Sequence, residues 1–215
     1  MLKGYYAILD VKEASIDTPT LERRARTLLE GQPCCLQLRA KHLPAGRLVA
    51  CAEILQAMSA STGVWFCVND RLDVALAAKT DMVHLGQGDL PLRHALAIRG
   101  TATRPLLGIS THTVEEAEQA AQGGADCLGF GPVFSTRTKQ DAGAPLGLSL
   151  LAEVTARVTL PVVAIGGITL DNLPAVVEAG AAAAAVIAAV DQSADPARAG
   201  RAIGEAFRAS RRART

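Results

Sequence analysis

Three groups of residues in this chain have the types and spacing to handle a negatively charged ligand. In "QLRAK", Gln37 and Arg39 stand two apart, so on a strand they share a face, and Lys41 follows just beyond. An amide, a guanidinium and an ammonium gathered in this way suit a phosphate or diphosphate. The alternative is an Arg–Asp pair that only braces the fold. Asp70, in "NDR", and Asp89, in "HLGQGDL", each follow an apolar run by a few residues. Two carboxylates with open positions suit Mg²⁺, a hard ion that keeps waters and accepts phosphate oxygens; read individually, each Asp could instead be a helix N-cap. Ser135, Thr136, Arg137, Thr138 and Lys139 crowd hydrogen-bond donors into one loop, a cradle for an anion or a solvated turn. In "AIGGI" (164–168), the paired glycines let backbone N–H groups approach a phosphate closely. His84, inside an apolar run, reads as a structural histidine, and neither it nor His112 has metal spacing.

These residues need elements that bring them together, and the chain alternates eight short apolar runs with longer amphipathic stretches. The runs lie at 5–9, 34–38, 64–68, 82–85, 105–110, 126–130, 161–166 and 182–189, with helix-like segments near 19–30, 44–60, 71–79, 90–99, 113–122, 148–157, 170–179 and 195–212. Thr113, Ser149 and Thr169 mark helix starts, and Gly31, Gly100, Gly123 and Gly180 mark stops. Strand–helix alternation means parallel strands with crossover helices, and eight repeats predict a single α/β domain over 1–215, a closed (β/α)₈ TIM barrel, with a doubly wound sheet as the rival. The alanine-rich last run is the weakest strand by local propensity. In a barrel every candidate follows a strand and falls on the C-terminal rim, where the loops after strands seven and eight form a phosphate site; Ile187 and Ala188 would offer backbone N–H groups there. The basic tail, about 208–215, reads as a fraying helix end.

A net charge of +1 provides no broad field for nucleic acid or anionic membrane, and 3% aromatics leave few rings to stack bases. No run is long and apolar enough for a membrane span, and the N-terminus lacks the pattern of a signal peptide. The five cysteines include no C-x-x-C pair and sit in or beside apolar runs, as reduced core residues of a cytoplasmic protein would.

In this order and at this spacing, "QLRAK", "NDR", "HLGQGDL", "GIST", "GPVFSTRTK" and "AIGGI" resemble thiamine phosphate synthase, over about residues 5 to 190. The resemblance implies a Mg²⁺-dependent transferase that joins 4-amino-2-methyl-5-hydroxymethylpyrimidine diphosphate to a thiazole phosphate or its carboxylate, giving thiamine monophosphate and diphosphate. It implies that Gln37, Arg39, Lys41 and Asn69 hold the pyrimidine diphosphate and that Asp70 and Asp89 bind Mg²⁺. Ser110 would sit by the pyrimidine, Thr136 and Thr138 by the thiazole, and Lys139 by the diphosphate. Gly167, Ile187 and Ala188 would cup the thiazole phosphate. Arg39, Lys41, Lys139 and Ser110 would carry the catalysis, with small molecules as the partners and a homo-oligomer left open. Two positions depart from the family pattern: Ala40 stands where Glu is frequent, and Ala188 replaces a serine. A thiazole tautomerase and a non-catalytic phosphate-binding barrel are the competing readings.

Overall fold

A computed structural model describes residues 2–136, 138 and 143–214. Its parallel strands are β1 (Gly4–Asp10), β2 (Cys35–Arg39), β3 (Trp65–Asn69), β4 (Met82–Leu85), β5 (Leu106–Thr111), β6 (Cys127–Phe130), β7 (Val162–Ile165) and β8 (Ala183–Val186). They close in sequence order, β8 pairing back onto β1. The helices are α1 (Thr18–Glu30), α2 (Ala45–Thr62), α3 (Leu72–Ala77), α4 (Leu92–Arg99), α5 (Val114–Gln122), α6 (Gly147–Arg157), α7 (Leu173–Glu178), α8 (Ala188–Asp191) and α9 (Pro196–Arg214). The fold is thus the (β/α)₈ TIM barrel that the alternation predicts.

Side-chain alternation along each strand builds two cores. Outward residues such as Leu36, Leu38, Phe66, Val83 and Leu107 pack beneath the helices. Inward residues Tyr6, Ile8, Cys35, Cys67, Met82, Cys127, Val163, Ala183 and Ala185 fill the lumen. Toward the C-terminal ends the inward positions become polar: Ile8 gives way to Asp10, Cys35 to Gln37 and Arg39, Cys67 to Asn69, and Met82 to His84. The apolar lower layers stabilise the barrel, and the polar top layer is available for chemistry. All five cysteines are free, consistent with reduced core residues.

The alanine strand β8 is shorter than the run that suggests it, four residues in place of eight. It persists as a strand because both edges pair, with β1 and with β7. In the lumen Tyr6 faces Ala185 across the register, so the small side chain makes room for the ring. The rest of the apolar run turns into the short α8, which the sequence reading does not anticipate. Thr113 caps α5 as expected, accepting from Glu116 N. Ser149 and Thr169 are not caps: α6 already begins at Gly147, and α7 is preceded by Asn172, whose side chain binds the loop before it.

Candidate active site

A cavity of about 440 Å³ opens at the C-terminal rim, within the size range of small-molecule sites. Its wall gathers Lys41, Asn69, Asp70, Asp89, Ser110, Thr136, Thr138, Gly167, Ile187 and Ala188, contributed by the loops after six different strands. A smaller cavity of about 50 Å³ lies in the lumen beneath it and shares Asn69, Ser110, Gly129, Ile165, Ala185 and Ile187. Gln37 and Arg39 line this smaller space. Lys139 lies outside the described residues. At the opposite end of the barrel, a broad depression of about 770 Å³ between the α1–β2 and α2–β3 loops includes Glu30 and Arg201 but none of the predicted residues.

Asp10, which the sequence reading passed over, is the final register partner of Arg39 on the neighbouring strand. Its buried carboxylate accepts from Arg39 Nη1 at 2.7 Å, and its main-chain carbonyl accepts from Arg24 Nη2 at 2.8 Å. The bracing pair considered for Arg39 therefore exists, and it holds the guanidinium in the lumen beside Gln37. Asp10 Oδ2 and Arg39 Nε are both buried with no partner among the described residues. Gln37 Nε2 in turn donates to Asn69 Oδ1 at 3.1 Å.

Neither aspartate is a helix cap. Asp70 sits at φ +66°, a left-handed conformation uncommon outside glycine, and α3 after it has no side-chain cap. Its N–H donates to His84 O across the register, and Lys41 Nζ lies 3.9 Å from Asp70 Oδ2. Asp89 Oδ2 accepts from Gly86 N at 2.7 Å, which folds the "GQGD" loop back on itself, and the cap position of α4 falls to Pro91. With the cap role gone, both carboxylates line the cavity. Among the described residues no group of three His, Cys, Asp or Glu side chains clusters as a metal centre. Two hard oxygen donors beside a cavity fit Mg²⁺, whose remaining positions water and substrate oxygens fill.

His84 is held more tightly than a packing residue requires. Its ring lies against two glycines, and a Cβ at Gly108 or Gly129 would come within 2.6 and 2.7 Å of it. Nε2 is 2.9 Å from Ser110 Oγ, and Gln87 Nε2 donates to Ser110 O. His84 thus serves the polar layer directly. His112 also lines the large cavity, with Nδ1 3.2 Å from Glu116 Oε2. Its position directly after "GIST" was the available signal. Thr136 and Thr138 face the same cavity, and Thr138 N donates to Thr136 Oγ1.

The loops after β6 and β7 are pressed together by backbone bonds that extend the ladder beyond the strands: Val133 N donates to Ile165 O and Phe134 N to Gly166 O. Only glycine permits this approach. A Cβ at Gly131 would sit 2.1 Å from Ile165 O, and one at Gly167, where φ is +62°, would sit 2.4 Å from Ser135 O.

Comparison with known proteins adds a third line of evidence. The chain is 45% identical over 187 residues to the thiamine-phosphate synthase of Moorella thermoacetica, covering 87% of this chain and 88% of that protein. It is 48% identical over 172 residues to that of Methanocella arvoryzae, covering 80% and 79%. The solved structure of thiamine phosphate pyrophosphorylase from Pyrococcus furiosus superposes with a TM-score of 0.85 at 33% identity, over 96% of each chain. A 3-hexulose-6-phosphate synthase, at 16% identity and a TM-score of 0.71, shares the fold alone. Residues 5–190 match the family described as thiamine monophosphate synthase, and the chain belongs to that family.

Proposed function

We propose that this protein joins 4-amino-2-methyl-5-hydroxymethylpyrimidine diphosphate to a thiazole phosphate or its carboxylate, giving thiamine monophosphate and diphosphate. The observation that carries this reading is the meeting of Asp70, Asp89, Lys41, Asn69 and Ser110 with the Gly166–Ile168 and Ile187–Ala188 backbone in one cavity of a chain of this family. An isomerase acting on the thiazole alone has no use for paired carboxylates and a lysine beside them.

In the proposed reaction the bond between the exocyclic CH₂ of the pyrimidine and the diphosphate oxygen breaks heterolytically, and both electrons leave with diphosphate. Donation from the 4-amino group stabilises the resulting cation. The thiazole nitrogen, held in the same cavity, then forms the new C–N bond with its lone pair. Holding the two partners in line removes much of the entropic barrier. Lys41 and Lys139 neutralise charge on the departing group, with Arg39 below them. Asp70 and Asp89 would hold Mg²⁺, whose chemistry when bound is charge neutralisation of phosphate oxygens. Ser110, fixed by His84 and Gln87, orients the pyrimidine. Thr136 and Thr138 contact the thiazole. No protein nucleophile or base takes part.

Coupling should require both substrates and stop on chelation of Mg²⁺, returning when the ion is restored. Asp70→Asn and Lys139→Ala should each lower turnover at least about a hundredfold, the cost of one lost transition-state contact. Turnover of the thiazole carboxylate alone would favour a tautomerase, and unchanged coupling in either variant would remove that residue from the assignment.

A further inference from the structure

We propose that Asn172 is a positioning residue whose amide turns the backbone N–H groups of Gly167 and Ile168 into the large cavity, where they take the phosphoryl group of a substrate. The inference rests on the reading of the Gly167 loop as the thiazole phosphate site and adds the device that shapes it.

Three successive peptide carbonyls after β7 are each held by a donor. Ile165 O accepts from Val133 N, Gly166 O from Phe134 N, and Gly167 O from Asn172 Nδ2 at 3.0 Å. In an ordinary strand consecutive carbonyls point to opposite sides. Here the left-handed φ values of Gly166 and Gly167, +101° and +62°, twist the chain so that consecutive carbonyls find donors in succession. These peptide bonds are trans, so each N–H points opposite to the carbonyl of its own peptide. Fixing Gly166 O therefore aims Gly167 N–H, and fixing Gly167 O aims Ile168 N–H. Among the described residues neither N–H makes a hydrogen bond. Gly166, Gly167 and Ile168 all line the cavity. The Ile168 side chain is buried in the outer core, so its main chain is what faces the cavity. Consecutive N–H groups turned to one side form a concave anion-binding nest.

Asn172 does what the β6 loop no longer reaches to do. The ladder from "GPVF" supplies its last donor at Phe134, and the side-chain amide of Asn172 supplies the next. Its Oδ1 accepts from Thr169 N at 2.8 Å, so the side chain clamps both sides of Ile168. Aspartate at 172 would keep that acceptor and lose the donor; alanine would lose both.

The test is a titration of the full-length protein with inorganic phosphate, followed by the amide resonances of Gly167 and Ile168. In the wild-type protein both should shift saturably. Asn172→Ala and Asn172→Asp should each weaken that binding about tenfold, the effect of a lost hydrogen bond that orients the site. Amide resonances outside residues 165–175 should stay in place. In the coupling assay the same variants should raise the KM for thiazole phosphate and leave that for the pyrimidine diphosphate within about twofold. Wild-type amides of Gly167 and Ile168 that ignore phosphate would overturn the inference, as would an Asn172→Asp protein that binds like wild type. A protein that binds phosphate on these amides yet couples nothing would instead refute the proposed function and leave this site standing.

Discussion

At the scale of single residues, the polar layer works by mutual restraint. His84 is pinned between two glycines and reaches Ser110 Oγ at 2.9 Å, while Gln87 holds the Ser110 carbonyl. If His84 acts through Ser110, the two should not be additive. Ser110→Ala and His84→Leu should each lower kcat/KM about tenfold, and the double variant should be little worse than either. Fully additive losses in a double-mutant cycle would mean that His84 has a separate role. Arg39 shows the same restraint. Its pairing with buried Asp10 satisfies a cation that would be costly in the lumen, and it also fixes where the guanidinium points.

At the scale of elements, the contact between the β6 and β7 loops is the most demanding feature. Gly131 meets backbone, which cannot swing aside as a flexible side chain can. Gly131→Ala should therefore destabilise the protein by about 2–3 kcal/mol through overpacking and also lower coupling, because Thr136 and Thr138 lie on the same loop. Gly46→Ala, in the first turn of α2 with open space around it, should be neutral or stabilising by up to about 1 kcal/mol. Urea denaturation of both variants checks the contrast. Equal effects would mean that the close approach of the two loops does not limit the fold.

At the scale of the whole molecule, the lumen sets a pH limit on stability. Burial pushes the Cys67 thiol from its ordinary value of 9.0 up to about 12, and burial raises Cys35 and Cys127 as well. These thiols stay protonated in the barrel and ionise earlier in the unfolded chain. Their contribution is thus complete below about pH 9 and is lost as the pH rises toward about 12. The urea midpoint should fall between about pH 8 and pH 10.5, and Cys67→Ala should flatten that fall. An identical slope in the variant would place the alkaline sensitivity elsewhere. Among the described residues no helix is long and apolar enough to cross a membrane.

The alternation of apolar runs with amphipathic stretches was enough to determine the barrel, because period and repeat number are local properties of the chain. It also assigned the candidate residues to one rim, since each follows a strand. Local pattern misjudged what depends on neighbours. It extended β8 into what became α8, offered Ser149 and Thr169 as caps, and allowed Asp70 and Asp89 a capping role. Asp10 was invisible as a partner for Arg39 because 29 residues separate them, and only strand register brings them face to face. The same is true of His84 with Ser110 and of the glycines that make room for the imidazole. Residue types and their order along the chain decide which chemistry is on offer. Closure of the sheet decides which side chains touch, because hydrogen bonds and close packing act only across a few ångströms of space, whatever the distance along the sequence.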